Sequence, residues 1–402
     1  MSVERIGVVG AGTMGAGIAQ IACLGGFETV LYDLDDKALK RGVEMLRNGL
    51  RRGVGRARWS EQEATGAAAR LHADVLLEAL SDCEFVIEAA PEDLDLKRNL
   101  FDRLAGVCSE DAVLATNTSS LSVTAIAAAV PAPERVVGMH FFNPPALMKL
   151  VEIVAGDESG EPALELATEV AGRVERTPIR AHDGIGFVAN RCARPFTLEA
   201  LRMLGEGVAT HEAIDRICRL GGGFRMGPFE LMDLIGIDIN YGVARSFAEQ
   251  SFGEPRWRPH PIQARMVAAR RLGRKTGRGF YAYDKEAPHR ERDPDVEAER
   301  PIIDNAELER VAGPASPAVL GRIGAQIANE ACFALDERVA SVEDINTAMR
   351  LGFNWPLGPL EWGERLGWSR ALGTLEELRE IHGEAYRPAP LLRRLASGDA
   401  TL

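Results

Sequence analysis

Short apolar runs of strand length punctuate the chain up to Ala155. Arg5–Val9 carries IGVV, Phe27–Tyr32 reads FETVLY and Phe85–Ala89 reads FVIEA. Ala112–Ala115 and Val136–His140 follow, and after a proline turn the chain returns through Lys149–Val154 (KLVEIV). Runs without polar alternation suit strands buried on both faces. Ala16–Leu24, small and apolar, reads as a buried helix between the first two. The order predicts an α/β doubly wound sheet of the Rossmann type, six strands wide, with ligands at the carboxyl ends of the strands.

Beyond residue 183 the period becomes helical. Asn190–Gly236 realigns on Gly321–Gly367 at a constant offset, 321 − 190 = 131. Arg191/Arg322, Glu199/Glu330, Glu206/Glu337, Gly227/Gly358 and Glu230/Glu361 are among the shared pairs. Arg258-Pro259-His260-Pro261 returns as Arg387-Pro388-Ala389-Pro390. This is an internal duplication of an all-α module. The expected domains are a nucleotide-binding unit over 1–182, a first helical copy over 183–283, a charged linker over 284–301 and a second helical copy over 302–402. Residues 284–300 are charged in 11 of 17 positions, so the linker is expected to be flexible or to hug the surface.

Composition narrows the class. The chain has 402 residues, 46% hydrophobic and 26% charged, which excludes wholesale disorder. A net charge of −12 argues against nucleic acid or an anionic membrane as partner. No run is long enough for a membrane span. Glu4 beside Arg5, with Gly10, Thr13 and Gln20 breaking the apolar stretch, make the N-terminus read as mature sequence rather than a signal peptide. The six cysteines are scattered without CxxC or zinc spacing, so no metal is expected and a reducing cytoplasm is the plain setting.

Candidate chemistry begins at Gly10-Ala11-Gly12-Thr13-Met14-Gly15. Gly10 allows the turn, Gly12 admits a pyrophosphate and Gly15 permits close helix–strand packing. The following helix N-terminus supplies donors and partial positive charge. Asp33, 23 residues after Gly10, can accept from ribose hydroxyls and repel a 2′-phosphate, which favours NAD over NADP. Lys37–Arg58 then holds eight basic residues against Glu44 alone, 8 − 1 = +7. Leu39, Val43, Leu46 and Leu50 make it an amphipathic helix. Its basic face is either plain solvated surface or a landing site for the phosphates of coenzyme A, with Arg51 and Arg52 the preferred contacts.

Three polar clusters fall at strand ends: Glu92 with Lys97, Asn117 to Ser120, and His140 to Pro144. The returning strand can place Glu152 beside His140. An imidazole exchanges protons with an alcohol near neutral pH, and a carboxylate on its far nitrogen fixes the tautomer. A structural histidine is the bland alternative.

GAGTMGAGIAQ, ATNTSSLSV, HFFNPPALMKLVEIV, GFVANR, MGPFELMDLIGID and KTGRGFYAY together resemble the successive motifs of the L-3-hydroxyacyl-CoA dehydrogenase family, which includes 3-hydroxybutyryl-CoA dehydrogenases. The resemblance runs over nearly the whole chain. It implies NAD-dependent oxidation of an L-3-hydroxyacyl-CoA to the 3-ketoacyl-CoA, or the reverse, with His140 as general base and Glu152 orienting it. It implies that Ser119 and Asn190 contact substrate. Gly10, Gly12, Thr13, Met14, Gly15, Asp33, Glu92, Lys97, Ser119 and Asn143 match positions that line the NAD site. One departure is Asp183-Gly184-Ile185-Gly186, where the family usually has a proline before the glycine.

In the second copy Gly321 faces Asn190 and the KTGRGF segment has no counterpart, so the first copy is the active one. Short family members dimerise through this domain; here the second copy is expected to pack on the first as an internal pseudo-dimer, and a further homodimer of the full chain stays open. Short acyl chains such as 3-hydroxybutyryl are the default, and 3-hydroxyadipyl is the dicarboxylic variant. One rival is a dehydrogenase of free 3-hydroxyacids, which resemblance would give a catalytic lysine instead of His140 and Glu152. The other is a non-enzymatic protein that kept the fold.

Overall fold

A computed structural model describes residues 3–284, 287–288 and 301–402. The expected linker therefore lies almost entirely outside the described residues. The chain divides into two compact units, Met1–Phe187 and Val188–Leu402.

The first unit runs β1 (Arg5–Val9), α1 (Thr13–Leu24), β2 (Glu28–Tyr32), α2 (Asp36–Val54), α3 (Glu61–Ala69), β3 (Leu71–Asp74), β4 (Phe85–Glu88), α4 (Leu94–Val107), β5 (Val113–Thr116), α5 (Val123–Ala127), β6 (Val136–Phe141), β7 (Leu150–Ala155), α6 (Glu161–Arg173) and β8 (Thr177–His182). Its sheet has the order β3-β2-β1-β4-β5-β6-β7-β8. The first six strands are parallel, β7 runs antiparallel to β6, and β8 is parallel to β7. Eight strands replace the six expected. The reversal at Pro144-Pro145 turns the chain back and adds two strands to the far edge. The added pair is what sets His140 opposite Glu152.

The buried runs read from the sequence form the middle of this sheet: Ile6, Val8, Leu31, Phe85, Ile87, Ala115, Val137 and Ile153 are all essentially dry. α2 uses the apolar stripe read from its spacing, burying Leu39, Leu46 and Leu50 and leaving its arginines outside. It comes very close to the glycine loop, since a Cβ on Gly42 would lie 2.6 Å from the Ala11 carbonyl oxygen.

The second unit comprises α7 (Ala189–Glu206), α8 (His211–Leu220), α9 (Pro228–Ile235), α10 (Ile237–Gln250), α11 (Pro261–Ala268), α12 (Asn305–Ala312), α13 (Ser316–Asp336), α14 (Val342–Gly352), α15 (Pro359–Leu366), α16 (Trp368–His382) and α17 (Pro390–Ser397). At the 131-residue offset, α7 to α10 fall on α13 to α16, one helix further than the sequence matches reach. The equivalents also behave alike. Asp215 accepts from the Phe229 amide at 2.9 Å, and Asn346 accepts from Leu360 at 3.0 Å.

α7 and α13 are joined by crossed ion pairs. Arg191 Nε donates to Glu330 Oε1 at 2.8 Å and Nη1 to Glu337 Oε2 at 2.6 Å. Arg322 Nε donates to Glu199 Oε1 at 2.7 Å and Nη1 to Glu206 Oε2 at 2.7 Å. Each arginine and each glutamate is the sequence equivalent of its opposite number. Contact i-to-j repeated as j-to-i is the signature of a local two-fold.

Candidate active site

The glycine loop leaves β1 with Gly10 at φ +96°, a conformation other residues rarely adopt. The Gly10 amide donates to the Tyr32 carbonyl oxygen at 2.8 Å, tying β1 to β2. A Cβ on Gly15 would sit 1.7 Å from the Gly10 oxygen, so no side chain fits there. Gly12 is different: a Cβ would meet nothing within 4 Å. Gly12 caps α1 without a side-chain bond, and the first turn, Thr13 and Met14 included, carries no acid. Its amides are therefore presented to an open, unscreened space, as anion binding at a helix N-terminus requires.

Asp33 lies at the end of β2 and braces this loop. Its Oδ2 accepts from the Ala11 amide at 2.8 Å and Oδ1 from the Asp35 amide at 3.0 Å. Each oxygen keeps a lone pair for a ribose hydroxyl. The residues present therefore fit a dinucleotide.

Glu92, Lys97 and Ser119 are brought together in one network, with Lys97 buried beneath and Glu92 and Ser119 exposed above it. Lys97 is 1% exposed and pairs with Glu88 at 2.5 Å and with Glu92 at 3.5 Å. Glu88, fully buried at the end of β4, also accepts from the Thr116 hydroxyl and the Ala90 amide. Glu92 accepts from the Thr118 and Ser120 hydroxyls and from the Ser119 and Ser120 amides. Burial would raise its carboxyl, but the Thr118 hydroxyl, the Lys97 charge and the serine bonds outweigh burial and hold it below the usual range. The loop that presents the exposed Ser119 is thus shaped by one carboxylate.

His140 and Glu152 are directly paired residues of the antiparallel ladder. His140 Nδ1 lies 2.6 Å from Glu152 Oε2; the imidazole is 6% exposed and the carboxylate fully buried. With Nδ1–H facing the carboxylate, Nε2 carries the free lone pair. The Phe142 and Phe187 rings lie 4.6 and 5.9 Å from the imidazole and limit its rotation. Asn117 Oδ1 accepts from the Phe141 amide at 2.8 Å, joining the ends of β5 and β6. The exposed Asn143 follows, just before a cis bond to Pro144.

Arg51 and Arg52 are exposed in the last turn of α2, and Arg51 Nη2 donates to Asn48. Beyond them Arg58 and Trp59 line a cleft of about 480 Å³ with Lys149, Arg173 and Arg176. Asn190 is half-buried in the first turn of α7 and belongs to the second unit.

Sequence reasoning missed Glu88, Asp183 and Arg194. Glu88 had a signal, an acid inside an otherwise apolar run with a lysine nine residues on. Asp183 receives the Ser122 hydroxyl and the Thr124 amide at the start of α5. Among the described residues no cluster of His, Cys, Asp or Glu could hold a metal ion, and no helix is long and apolar enough to cross a membrane.

A dinucleotide fold with a buried histidine–glutamate pair at its strand ends defines an NAD-dependent dehydrogenase of hydroxyl substrates. The profile of the 3-hydroxyacyl-CoA dehydrogenase NAD binding domain matches residues 5–184. That of the C-terminal domain matches twice, over 186–283 and 319–400. The 3-hydroxyadipyl-CoA dehydrogenase of Escherichia coli (strain K12) is 37% identical, covering 98% of each chain. The 3-hydroxybutyryl-CoA dehydrogenase of Clostridioides difficile is 36% identical over 70% of this chain and all of its own. A crystal structure of 3-hydroxybutyryl-CoA dehydrogenase from Escherichia coli K12 superposes with a TM-score of 0.89 at 36% identity, covering 100% of both chains. The chain belongs to the 3-hydroxyacyl-CoA dehydrogenase family, an oxidoreductase family that uses NAD.

Proposed function

We propose that His140 is the general base of this enzyme and Glu152 its positioning partner, acting on the 3-hydroxyl of a short L-3-hydroxyacyl-CoA. The observation that carries this reading is the 2.6 Å contact between Nδ1 and Oε2. Glu152 holds the tautomer in which Nε2 accepts the hydroxyl proton, and its charge stabilises the imidazolium that forms. In the reverse direction the imidazolium returns that proton to the ketone oxygen. Bound at the glycine loop, NAD supplies the hydride acceptor. Gly10, Gly12, Thr13, Met14 and Gly15 would hold its pyrophosphate and Asp33 its ribose. Glu92, Lys97, Ser119 and Asn143 would shape the nicotinamide end, and Ser119 and Asn190 would contact substrate.

Arg51 and Arg52 are the proposed landing points for the phosphates of coenzyme A. A dicarboxylic substrate is the second reading. It is raised by the match to a relative named 3-hydroxyadipyl-CoA dehydrogenase over 98% of each chain; the structure named 3-hydroxybutyryl-CoA dehydrogenase covers 100% of both chains, so the turnover test, not coverage, separates the two. The second helical copy is proposed to stand in for a partner subunit, which the crossed Arg191 and Arg322 pairs support.

The test is NADH oxidation by the purified chain across 3-ketoacyl-CoA lengths, with NADPH and free acetoacetate as controls. Turnover with NADH and an acyl-CoA is expected. Failure with every acyl-CoA would favour a non-enzymatic protein, and equal turnover of free acetoacetate would favour a free-acid dehydrogenase.

A further inference from the structure

Four arginines of the helical unit are more than nine-tenths buried: Arg191, Arg194, Arg256 and Arg322. Three are met by carboxylates. Arg191 pairs with Glu330 and Glu337, Arg256 with Glu254 and Glu330, and Arg322 with Glu199 and Glu206. Arg194 has no such partner among the described residues. Its Nε donates to the Asn190 carbonyl oxygen at 3.2 Å. Its guanidinium lies 5.7 Å from the centre of the Phe247 ring. Its Nη1, shut off from solvent, meets no acceptor among the described residues. Burial draws its pKa down only to about 10, so it stays charged at neutral pH.

A buried cation without a counter-charge is costly, and arginine does not escape the cost by losing its proton. Arg194 follows Asn190 by four residues on α7, so the two side chains share one helix face, about 6 Å apart along the axis. Asn190 is the position proposed above for substrate contact. Ala193, small and buried, lies beside this face, whereas Cys192 and Phe196 turn to the opposite side of α7, where Phe196 packs against Phe224 and Trp355.

We infer that Arg194 is the receptor for a second carboxylate at the far end of the acyl chain, which makes a dicarboxylic 3-hydroxyacyl-CoA the preferred substrate. This rests on the reading of the chain as a 3-hydroxyacyl-CoA dehydrogenase with Asn190 at the substrate. In a six-carbon diacid three bonds separate C3 from the terminal carboxyl carbon, a span on the order of one helical turn. The planar guanidinium can donate two parallel hydrogen bonds to that carboxylate. A hydrocarbon tail of equal length leaves the cation unpaired, and a site built around a polar partner rejects the analogue that lacks it.

The experiment compares 3-ketoadipyl-CoA with 3-ketohexanoyl-CoA, which differ in the terminal carboxylate, by NADH oxidation with the full chain. Wild type is expected to favour the diacid in kcat/KM by roughly 10²-fold or more. Arg194→Met should collapse that ratio towards unity or below, and Arg194→Lys should retain part of it. If Arg194→Met does not fold, the wild-type ratio and its loss of at least about tenfold in Arg194→Lys carry the test. A wild-type ratio near one, or a ratio unchanged in the variants, overturns the assignment and leaves the dehydrogenase reading standing. No oxidation with either substrate or with acetoacetyl-CoA overturns both.

Discussion

His140 and Glu152 meet as a registered cross-strand pair, Nδ1 to Oε2 at 2.6 Å, in a part of the sheet that exists only because the chain reverses after β6. His140→Gln should fold and bind NADH but lose about 10²–10⁴ in kcat, the usual scale for a general base. Glu152→Gln keeps the shape and removes the charge, so kcat should fall with little change in KM. Steady-state kinetics checks both; wild-type turnover in His140→Gln would remove that residue from the chemistry.

Gly12 and Gly15 should separate binding from folding. A methyl at Gly12 enters open space, so Gly12→Ala should keep its melting temperature and lose NADH affinity, by about tenfold or more if the pyrophosphate needs that approach. A methyl at Gly15 meets the Gly10 carbonyl oxygen at 1.7 Å, so Gly15→Ala should fold poorly. Thermal melts beside NADH fluorescence titration distinguish the two.

Asp215 gives the helical unit a pH dependence. Burial pushes its carboxyl from 3.8 up to about 7; the Glu230 charge adds to the rise, and bonds from the Phe229 amide and the Tyr281 hydroxyl oppose it. Between those values the folded chain holds a proton that the unfolded chain has released. Its contribution to stability is therefore full below about 4 and lost as the pH rises through about 7, on the order of 2–4 kcal/mol. Asp215→Asn, the residue the second copy carries as Asn346, should flatten that slope in urea unfolding between pH 4 and 8. Asp233, also raised by burial, leaves a smaller slope of the same sign.

Arg322→Leu removes the 2.6 Å partner of the buried Glu199, which keeps Arg202 at 3.3 Å and the Tyr386 hydroxyl at 3.2 Å, and should cost about 1–3 kcal/mol. Arg393→Ala breaks the exposed pair with Glu376 and should cost less than about 1 kcal/mol. Urea midpoints measure both. Removal of residues 302–402 should leave the first copy insoluble or self-associating; a soluble, unchanged monomer on a sizing column would contradict the second copy's proposed role.

Arg51 and Arg52 stand in water, so their effect on an anionic substrate should be long-range and screened. Replacing both with Gln should raise KM for acetoacetyl-CoA about 3–10-fold at low salt, and the difference should shrink by 0.5 M salt. Equal KM values at low salt would move the phosphate contact elsewhere, for example to Arg58 and Lys149 of the adjoining cleft.

Burial explains what was legible in the sequence. Strands dry on both faces are apolar along most of their length, with the paired Glu88, His140 and Glu152 among the exceptions, so β1, β2, β4, β5, β6 and β7 announced themselves. β3 (LHAD) is an exposed edge strand and needs no apolar run, while Pro178, Arg180 and His182 mask β8. The glycine loop was legible because each glycine answers a separate steric demand. The role of Glu92 was not, since four hydrogen bonds to a neighbouring loop leave no trace in residue spacing. Arg194 lay hidden for another reason: a lone cation inside a helix gives no hint of burial until its neighbours close over it.

The crossed arginine–glutamate contact between α7 and α13 lies within one polypeptide. Dilution cannot part its two sides, because the intervening chain keeps them at high effective concentration. A change on one helix is not mirrored automatically on the other, as it would be between identical subunits. The two copies are thereby released to diverge, and Gly321 at the position equivalent to Asn190 is such a departure.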